Sequence, residues 1–210
     1  MKTISFDLDG TLVKMDFVDA VWLEEIPKEY AKKYGMSFEE ARRLVEEEYL
    51  KVGPEAIEWY DINYWLKKFG LDMDYKEIFR KCRGKLVLYE DAIKALEMLD
   101  GEHLIIISNA AMEFIEFELN ELNLKDYFKN IFSAVSHFGK TKKDSKVYEK
   151  VCEKMGIKCS QLIHVGDNYE FDYIAAKNAG AIAYYLDRHE NENGGHVVYN
   201  LVEFAEKVRK

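Results

Sequence analysis

The chain has 210 residues, of which 48% are hydrophobic and 33% are charged, and its 39 acidic and 30 basic residues give a net charge of −9. This composition is typical of a folded protein, and the length corresponds to one large domain or a domain with an insert. The negative charge argues against a general nucleic-acid or anionic-membrane surface, so we expect no nucleic acid and no membrane among the partners.

The apolar segments are too short for a membrane span. The longest unbroken apolar run covers residues 181–186, whereas a transmembrane helix needs roughly 20 residues. Asp7 and Asp9 interrupt the first apolar stretch, so we expect no secretory leader.

The cysteine pattern favours a reducing compartment. Cys82, Cys152 and Cys159 are odd in number and form no Cys-x-x-Cys pair. This pattern predicts neither a disulfide framework nor a zinc site, and it favours a cytoplasmic location.

Short, continuously apolar segments alternate with amphipathic ones. The predicted strands are 3–6, 104–107, 131–135, 162–165 and 181–186. The predicted helices are 91–99, 112–122, 146–155, 169–179 and 200–208. Apolar strands of this kind belong to a parallel sheet covered on both faces, and the alternation predicts right-handed βαβ units. The expected fold class is therefore α/β, with a doubly wound parallel sheet.

No strand pattern interrupts the stretch 15–86. Its apolar residues follow helical spacing, Gly35 ends one predicted helix, and Ser37 with Glu40 forms a capping box for the next. Gly53 and Pro54 are expected to end that helix and to begin a third. We predict an inserted all-helical domain at 15–86, with 1–14 plus 87–210 forming the α/β core.

Polar side chains follow the predicted strands where each one ends. Asp7 and Asp9 follow the first strand, Ser108 closes the second, and Asp167 follows the fourth. Ligands of parallel α/β sheets bind beyond the carboxyl ends of the strands. Carboxylates suit Mg²⁺, and a carboxylate can also act as a nucleophile towards phosphorus. The sequence therefore predicts a magnesium-assisted phosphoryl-transfer site at this edge.

These segments resemble the haloacid dehalogenase-like hydrolase superfamily, in its phosphoglycolate phosphatase-like branch. Asp7-Leu8-Asp9-Gly10-Thr11 resembles the first motif, DxDGT, and Ser108 after an apolar strand resembles the second. Residues 142–148 resemble the third motif without its two prolines, so Lys140 and Lys143 compete with Lys142 for the lysine position. Residues 166–172, a Gly-Asp followed by Asp172, resemble the fourth. The position of the helical insert matches the family's C1-type cap, and the core is expected to be Rossmann-like.

The resemblance implies a role for each motif residue. Asp7 would attack phosphorus to form an aspartyl-phosphate, and Asp9 would act as general acid and then as general base. Ser108, Asn109 and Lys142 would bind the substrate phosphate, and Lys142 would also be a catalytic residue that screens its charge. Mg²⁺ would be held by the Asp7 carboxylate, the Asp9 backbone carbonyl and Asp167. The supporting residues would be Gly10, Thr11, Gly166 and Asp172.

The expected activity is Mg²⁺-dependent hydrolysis of a small phosphorylated metabolite. The alternatives are a phosphosugar mutase, a 2-haloacid dehalogenase and a catalytically silent binding domain of the same fold. Dehalogenases of the superfamily generally lack counterparts of Asp9 and Asp167, which ranks them lower. The sequence predicts structural roles for His137 and His164, which lie near strand ends. It does not determine the substrate or the oligomeric state.

Overall fold

The protein contains a parallel sheet with helices on both faces. The computed structural model describes residues 2–209, and within them six strands form one sheet in the order β3-β2-β1-β4-β5-β6. The strands are β1 (Thr3–Phe6), β2 (His103–Ser108), β3 (Asn130–Ser133), β4 (Leu162–Gly166), β5 (Ile182–Leu186) and β6 (Val197–Val198). Every pair of neighbours is parallel. This confirms the predicted α/β class with a doubly wound, Rossmann-like sheet.

Helices connect the strands and make up the insert. They are α1 (Asp16–Asp19), α2 (Ile26–Tyr34), α3 (Phe38–Val52), α4 (Ile62–Lys68), α5 (Tyr75–Cys82), α6 (Ala92–Met98), α7 (Met112–Glu121), α8 (Ala134–Phe138), α9 (Lys146–Met155), α10 (Ala175–Asn178) and α11 (Leu201–Arg209). None of the helices described is long and apolar enough to cross a bilayer.

The chain divides into two compact units. One comprises Met1–Lys14 with Leu88–Lys210, and the other comprises Met15–Val87. The first holds the whole sheet, and the second is helical throughout its regular structure. The assignment of 1–14 plus 87–210 as a catalytic core and of 15–86 as a cap stays a prediction.

Burial on both faces explains why the central strands are continuously apolar. All four residues of β1 are buried, and Ile4 and Phe6 are fully so. The Phe6 ring meets the rings of Phe204 and Phe128 edge-on, with centroids 5.5 and 6.3 Å away. A sheet layered in this way leaves its loops at the strand ends as the place for polar groups.

Two parts of the sheet differ from the predicted strands. β3 ends at Ser133 rather than at 135, because the Ser133 side chain caps α8 by accepting from the Ser136 N–H at 3.0 Å. The two-residue β6 was not predicted, since two apolar residues are too few to show a strand pattern. The predicted strand 131–135 therefore exists, but its predicted end was wrong.

The helical unit begins with a long helical run that changes its winding. Ala20–Glu25 is π-helical between α1 and α2, and the Ile26 N–H donates to the carbonyl of Val21 five residues earlier. Pro27, which has no N–H to donate, follows directly. A wide turn of this kind accommodates a missing donor without breaking the helix.

The caps of the helical unit follow its sequence, with one exception. Gly35 ends α2 in the left-handed conformation, and the Ser37 side chain accepts from the Glu40 N–H at 3.2 Å, which is the Ser37 half of the predicted capping box. The third helix was expected to begin at Pro54, but α4 begins at Ile62. The cause is Asp61, whose carboxylate caps α4 by accepting from the Tyr64 N–H at 3.0 Å.

The prediction of no disulfide is wrong for one pair of cysteines. Cys152 in α9 and Cys159 beyond its end form a disulfide with a Cα–Cα distance of 5.5 Å, and Cys82 is free and buried. The left-handed Gly156 ends α9 and turns the chain back, which brings together two cysteines seven residues apart.

Candidate active site

The carboxyl edge of the sheet gathers the acidic residues of the predicted site. Asp7 follows β1, and its N–H donates to the Val165 carbonyl of β4 at 2.9 Å. Asp167 follows β4 directly, and Asp172 comes one turn later. Each of the three offers a carboxylate oxygen, and these oxygens all lie within 4.8 Å of one another. Parallel pairing therefore brings Asp7 beside two acids that are 160 or more positions away in sequence.

Lys142 lies between two of these acids. Its Nζ donates to Asp7 Oδ1 at 2.6 Å and to Asp172 Oδ1 at 2.5 Å. The Lys142 residue is only 2% exposed, so water screens these ion pairs little. The two alternatives are placed differently, because Lys140 pairs with Asp144 at the surface and Lys143 is exposed.

The pKa values of Asp7, Asp167 and Asp172 differ, because the Lys142 ammonium bonds two of these carboxylates and not the third. Burial raises the pKa of Asp7, an effect that Lys142 partly offsets. Burial and the negative charge of Asp7 raise the pKa of Asp167 to about 7. Burial also opposes ionisation of Asp172, but Lys142 and His164 outweigh it and hold the pKa of Asp172 well below its usual range. The site is therefore short of positive charge around Asp7 and Asp167.

A tight turn after β1 sets the position of the first motif. The Leu8 carbonyl accepts from the N–H groups of Thr11, Leu12 and Val13 at 3.2, 2.8 and 3.0 Å. The Thr11 hydroxyl donates to Asp167 Oδ1 at 3.3 Å and so links this turn to β4. Asp9 is half-buried in the turn, and its carboxylate is not part of the group formed by the other three acids.

Two glycines allow carboxylates to approach the backbone closely. Gly10 has a φ of +81°, and a Cβ there would overlap the Asp167 carboxylate. A Cβ at Gly166 would overlap the carboxylate of Asp172. Only glycine fits both positions without displacing a carboxylate, which gives a physical reason for the glycines of the first and fourth motifs.

Ser108 makes a local hydrogen bond at the end of β2, and Asn109 makes a long-range one. The Ser108 hydroxyl accepts from the Ala110 N–H at 3.1 Å. Asn109 Oδ1 accepts from the backbone N–H of Lys142 at 2.7 Å, so this side chain anchors the lysine loop to β2. Both residues are buried at the same edge as Asp7. Their role in binding phosphate stays a prediction.

A wide helical turn aims Asp172 at the sheet. Tyr169–Ile174 is π-helical and only 175–178 is α-helical, whereas a single helix was expected over 169–179. The Asn168 side chain starts this turn by accepting from the Phe171 N–H at 2.9 Å. The Asp172 carboxylate returns to accept from the Asn168 N–H at 2.9 Å. Wide turns of this kind recur at functional sites.

Three polar residues that are not part of the motifs also adjoin the site. His164 contacts Asp172 from β4, whereas His137 is exposed. Glu118 of α7 is fully buried, and burial with the negative charge of Asp9 raises its pKa well above the usual value. Arg188 follows the end of β5 and donates to the Thr11 carbonyl at 2.7 Å. A position near a strand end was the available signal for Arg188 and for His164, whose predicted role was structural. Glu118 gave no signal beyond a polar residue in an apolar stretch.

Comparison with known proteins identifies relatives that span the chain. The GMP/IMP nucleotidase YrfG of Escherichia coli (strain K12) is 27% identical over 170 residues, which cover 80% of this chain and 75% of that protein. The glyceraldehyde 3-phosphate phosphatase of Methanocaldococcus jannaschii is 24% identical over 223 aligned positions, which cover 100% and 97%. The crystal structure of a HAD phosphatase from Thermococcus onnurineus has 26% identity and a TM-score of 0.87, covering 99% and 98% of the two chains.

More distant structures share the fold alone. L-2-haloacid dehalogenase from Xanthobacter autotrophicus is 19% identical with a TM-score of 0.66, covering 100% of this chain and 98% of that one. The magnesium-bound YfnB from Bacillus subtilis is 18% identical with a TM-score of 0.69, covering 100% and 99%.

The family model of the haloacid dehalogenase-like hydrolases matches residues 1–180, which include all four motifs. The chain is a hydrolase and belongs to the haloacid dehalogenase-like family.

Proposed function

We propose that the protein is a Mg²⁺-dependent phosphatase that hydrolyses a small phosphorylated metabolite through an aspartyl-phosphate. The observation that carries the proposal is the buried ion pair between Lys142 and Asp7, with Asp167 beside it. A carboxylate nucleophile must be ionised to attack, and the adjacent ammonium favours the ionised form. The same charge opposes the repulsion between Asp7 and an approaching phosphate.

Asp7 and Asp9 divide the chemistry between them in this proposal. The Asp7 carboxylate attacks phosphorus and forms the acyl-phosphate bond as the ester P–O bond breaks, and Asp9 gives its proton to the leaving oxygen. Asp9 then accepts a proton from the water that attacks the aspartyl-phosphate, which releases inorganic phosphate and restores Asp7. The Asp9 side chain, outside the group of three acids, is suited to this proton transfer.

The donor set fits Mg²⁺. Asp7 and Asp167 supply hard carboxylate oxygens, Asp172 is already engaged by Lys142, and the excess negative charge calls for a cation. The Asp7 and Asp167 carboxylates with the Asp9 carbonyl would hold the ion. When bound, it would neutralise phosphate charge as a Lewis acid.

The relatives suggest which esters to test first. A nucleotidase of GMP and IMP and a phosphatase of glyceraldehyde 3-phosphate both act on small phosphate esters. We therefore propose a small metabolite as the partner, with nucleoside monophosphates and triose phosphates as the first candidates. Ser108, Asn109 and Lys142 are proposed to bind the phosphate.

Phosphate release tests the proposal directly. The panel comprises p-nitrophenyl phosphate, GMP, IMP and glyceraldehyde 3-phosphate, each with Mg²⁺ and with EDTA. We expect release with Mg²⁺, none with EDTA, and a loss of about 10⁴-fold or more in Asp7→Asn, which keeps the shape of the side chain but removes the nucleophile. The thermal unfolding midpoint of the variant, measured in parallel, reports whether it still folds.

Two results would overturn the proposal. Full activity of Asp7→Asn would exclude the aspartyl-phosphate route, and release that EDTA does not reduce would exclude the metal requirement. If no ester is hydrolysed, chloride release from 2-chloropropionate tests the dehalogenase chemistry of the structural neighbour from Xanthobacter autotrophicus.

A further inference from the structure

A chain of buried polar groups runs from the middle of the sheet to the proposed nucleophile. Ser5 of β1 and His164 of β4 are register partners, and Ser5 Oγ lies 2.8 Å from His164 Nδ1. His164 Nε2 lies 3.1 Å from Asp172 Oδ1, the oxygen that also accepts from Lys142. Ser5, His164 and Asp172 have no exposed surface. This chain leads from a strand interior to Asp7 without passing through solvent.

The hydrogen-bond partners determine which ring nitrogen carries the proton. An ionised Asp172 can only accept, so Nε2 of His164 must donate to it. Burial lowers the pKa of His164 and favours the neutral ring, in which Nδ1 is then a bare acceptor. The Ser5 hydroxyl therefore donates to Nδ1, in preference to the Ile163 carbonyl at 3.2 Å. The protein thus holds the Nε2–H tautomer by pairing both nitrogens.

Asp172 is held from three directions, and His164 provides one of them. Lys142 Nζ and His164 Nε2 reach Oδ1, while the Asn168 N–H reaches Oδ2. The Tyr148 ring packs edge-on against the imidazole with centroids 5.0 Å apart and limits its movement. Without the imidazole, Oδ1 would lose the bond from a ring fixed by packing and keep the bond from the end of a long, flexible lysine side chain.

We propose that His164 is a positioning residue, which fixes the Asp172 carboxylate and thereby holds the Lys142 ammonium against Asp7. The inference rests on the proposed phosphatase function, in which that ammonium keeps Asp7 ionised and screens the incoming phosphate. It adds a residue outside the four motifs, acting through Asp172 rather than on the substrate. The effect of His164 on Asp172 depends on geometry: a hydrogen-bond donor must be present at the place of Nε2.

Two amide substitutions distinguish this role from simple packing. In His164→Gln the side-chain nitrogen reaches the place of Nε2, whereas in His164→Asn it reaches only the place of Nδ1. Both variants carry the same neutral amide group in the same buried position. We expect kcat for p-nitrophenyl phosphate to fall about 10- to 100-fold in His164→Asn, as for a lost hydrogen bond to a charged group. We expect His164→Gln to stay within about threefold of the unsubstituted protein, with KM little changed in both.

A second readout is independent of turnover. Nitrogen NMR of the unsubstituted protein should show a neutral Nε2–H imidazole, and the signal of the buried Lys142 ammonium should shift in His164→Asn but not in His164→Gln. Equal loss of activity in both variants, or no loss in either, would overturn the proposal, as would an Nδ1–H tautomer. If no ester is hydrolysed by the unsubstituted protein, the proposed function fails while the two NMR results still decide whether His164 positions Lys142.

Discussion

At the scale of the residue, burial separates one lysine from its neighbours. Lys142 is 2% exposed and pairs with two buried carboxylates, whereas Lys140 pairs with Asp144 near the surface. Exposed ion pairs contribute little to folding stability because water and salt screen them. A buried pair differs, since the loss of one partner leaves an uncompensated charge in a medium of low polarity.

Lys142→Ala tests this difference. We expect a loss of about 100-fold or more in kcat/KM, because Asp7 loses its counter-charge and the phosphate loses a ligand. Lys140→Ala and Lys143→Ala serve as matched controls and should stay within about threefold. The measurement is phosphate release at saturating Mg²⁺, and a larger effect at either control position would assign the third motif to a different lysine.

At the scale of the element, the turn after β1 is tightly hydrogen-bonded and contains a glycine that leaves room for a neighbouring carboxylate. Three N–H groups converge on the Leu8 carbonyl, and Gly10 takes up the left-handed conformation beside Asp167. A side chain at Gly10 would have to displace that carboxylate. The turn therefore couples the backbone of the first motif to a proposed metal ligand of the fourth.

Gly10→Ala should weaken Mg²⁺ binding by about tenfold or more, since a Cβ would both strain the backbone and displace Asp167. Gly156→Ala is the matched control, because Gly156 is also left-handed (φ +65°) but a Cβ there would meet no neighbouring atom within 4 Å. It should cost only about 1–2 kcal/mol of folding free energy, the strain of a non-glycine residue in the left-handed conformation. Isothermal titration with Mg²⁺ measures the first effect and thermal unfolding the second. Unchanged Mg²⁺ affinity in Gly10→Ala would contradict the coupling.

At the scale of the whole molecule, two of the three cysteines form a disulfide and the third is a free thiol. Cys152 and Cys159 pair within the α/β unit, and Cys82 is buried in the helical unit. Burial raises the pKa of Cys82 to about 11. Because a raised thiol pKa lowers the thiolate fraction at a given pH, only about one Cys82 thiol in a thousand is ionised at pH 8.

Thiol labelling should therefore distinguish the folded from the unfolded chain. Without reductant we expect almost no labelling of the native protein at pH 8, faster labelling as the pH rises towards 11, and one reactive thiol after unfolding. Reduction before unfolding should increase that number to three. Three reactive thiols in the unreduced, unfolded chain would contradict the disulfide, and rapid native labelling at pH 8 would contradict the burial of Cys82.

Local patterns predicted much of the architecture. The bounds of β1 and α9 match their predicted ranges, because continuous apolar runs and helical spacing are properties of neighbouring residues. The same holds for Gly35 and Ser37, whose capping depends on one turn of chain. The parallel sheet then follows from the alternation of these elements, and the acids at its edge follow from the sheet.

The sequence by itself determined the order of the elements, the family and the residues that could carry chemistry. Only the tertiary structure decided which lysine reaches Asp7, that Asn109 anchors the lysine loop, and that His164 supports Asp172. It also decided the pairing of Cys152 with Cys159 and the short strand β6. For the lysine the physical reason is distance along the chain, since the Lys142–Asp7 contact joins residues 135 positions apart. For the cysteines and β6 it is the turn that returns the chain between partners only 7 or 12 positions apart. Such contacts depend on how strands and turns assemble, which neighbouring residues do not encode.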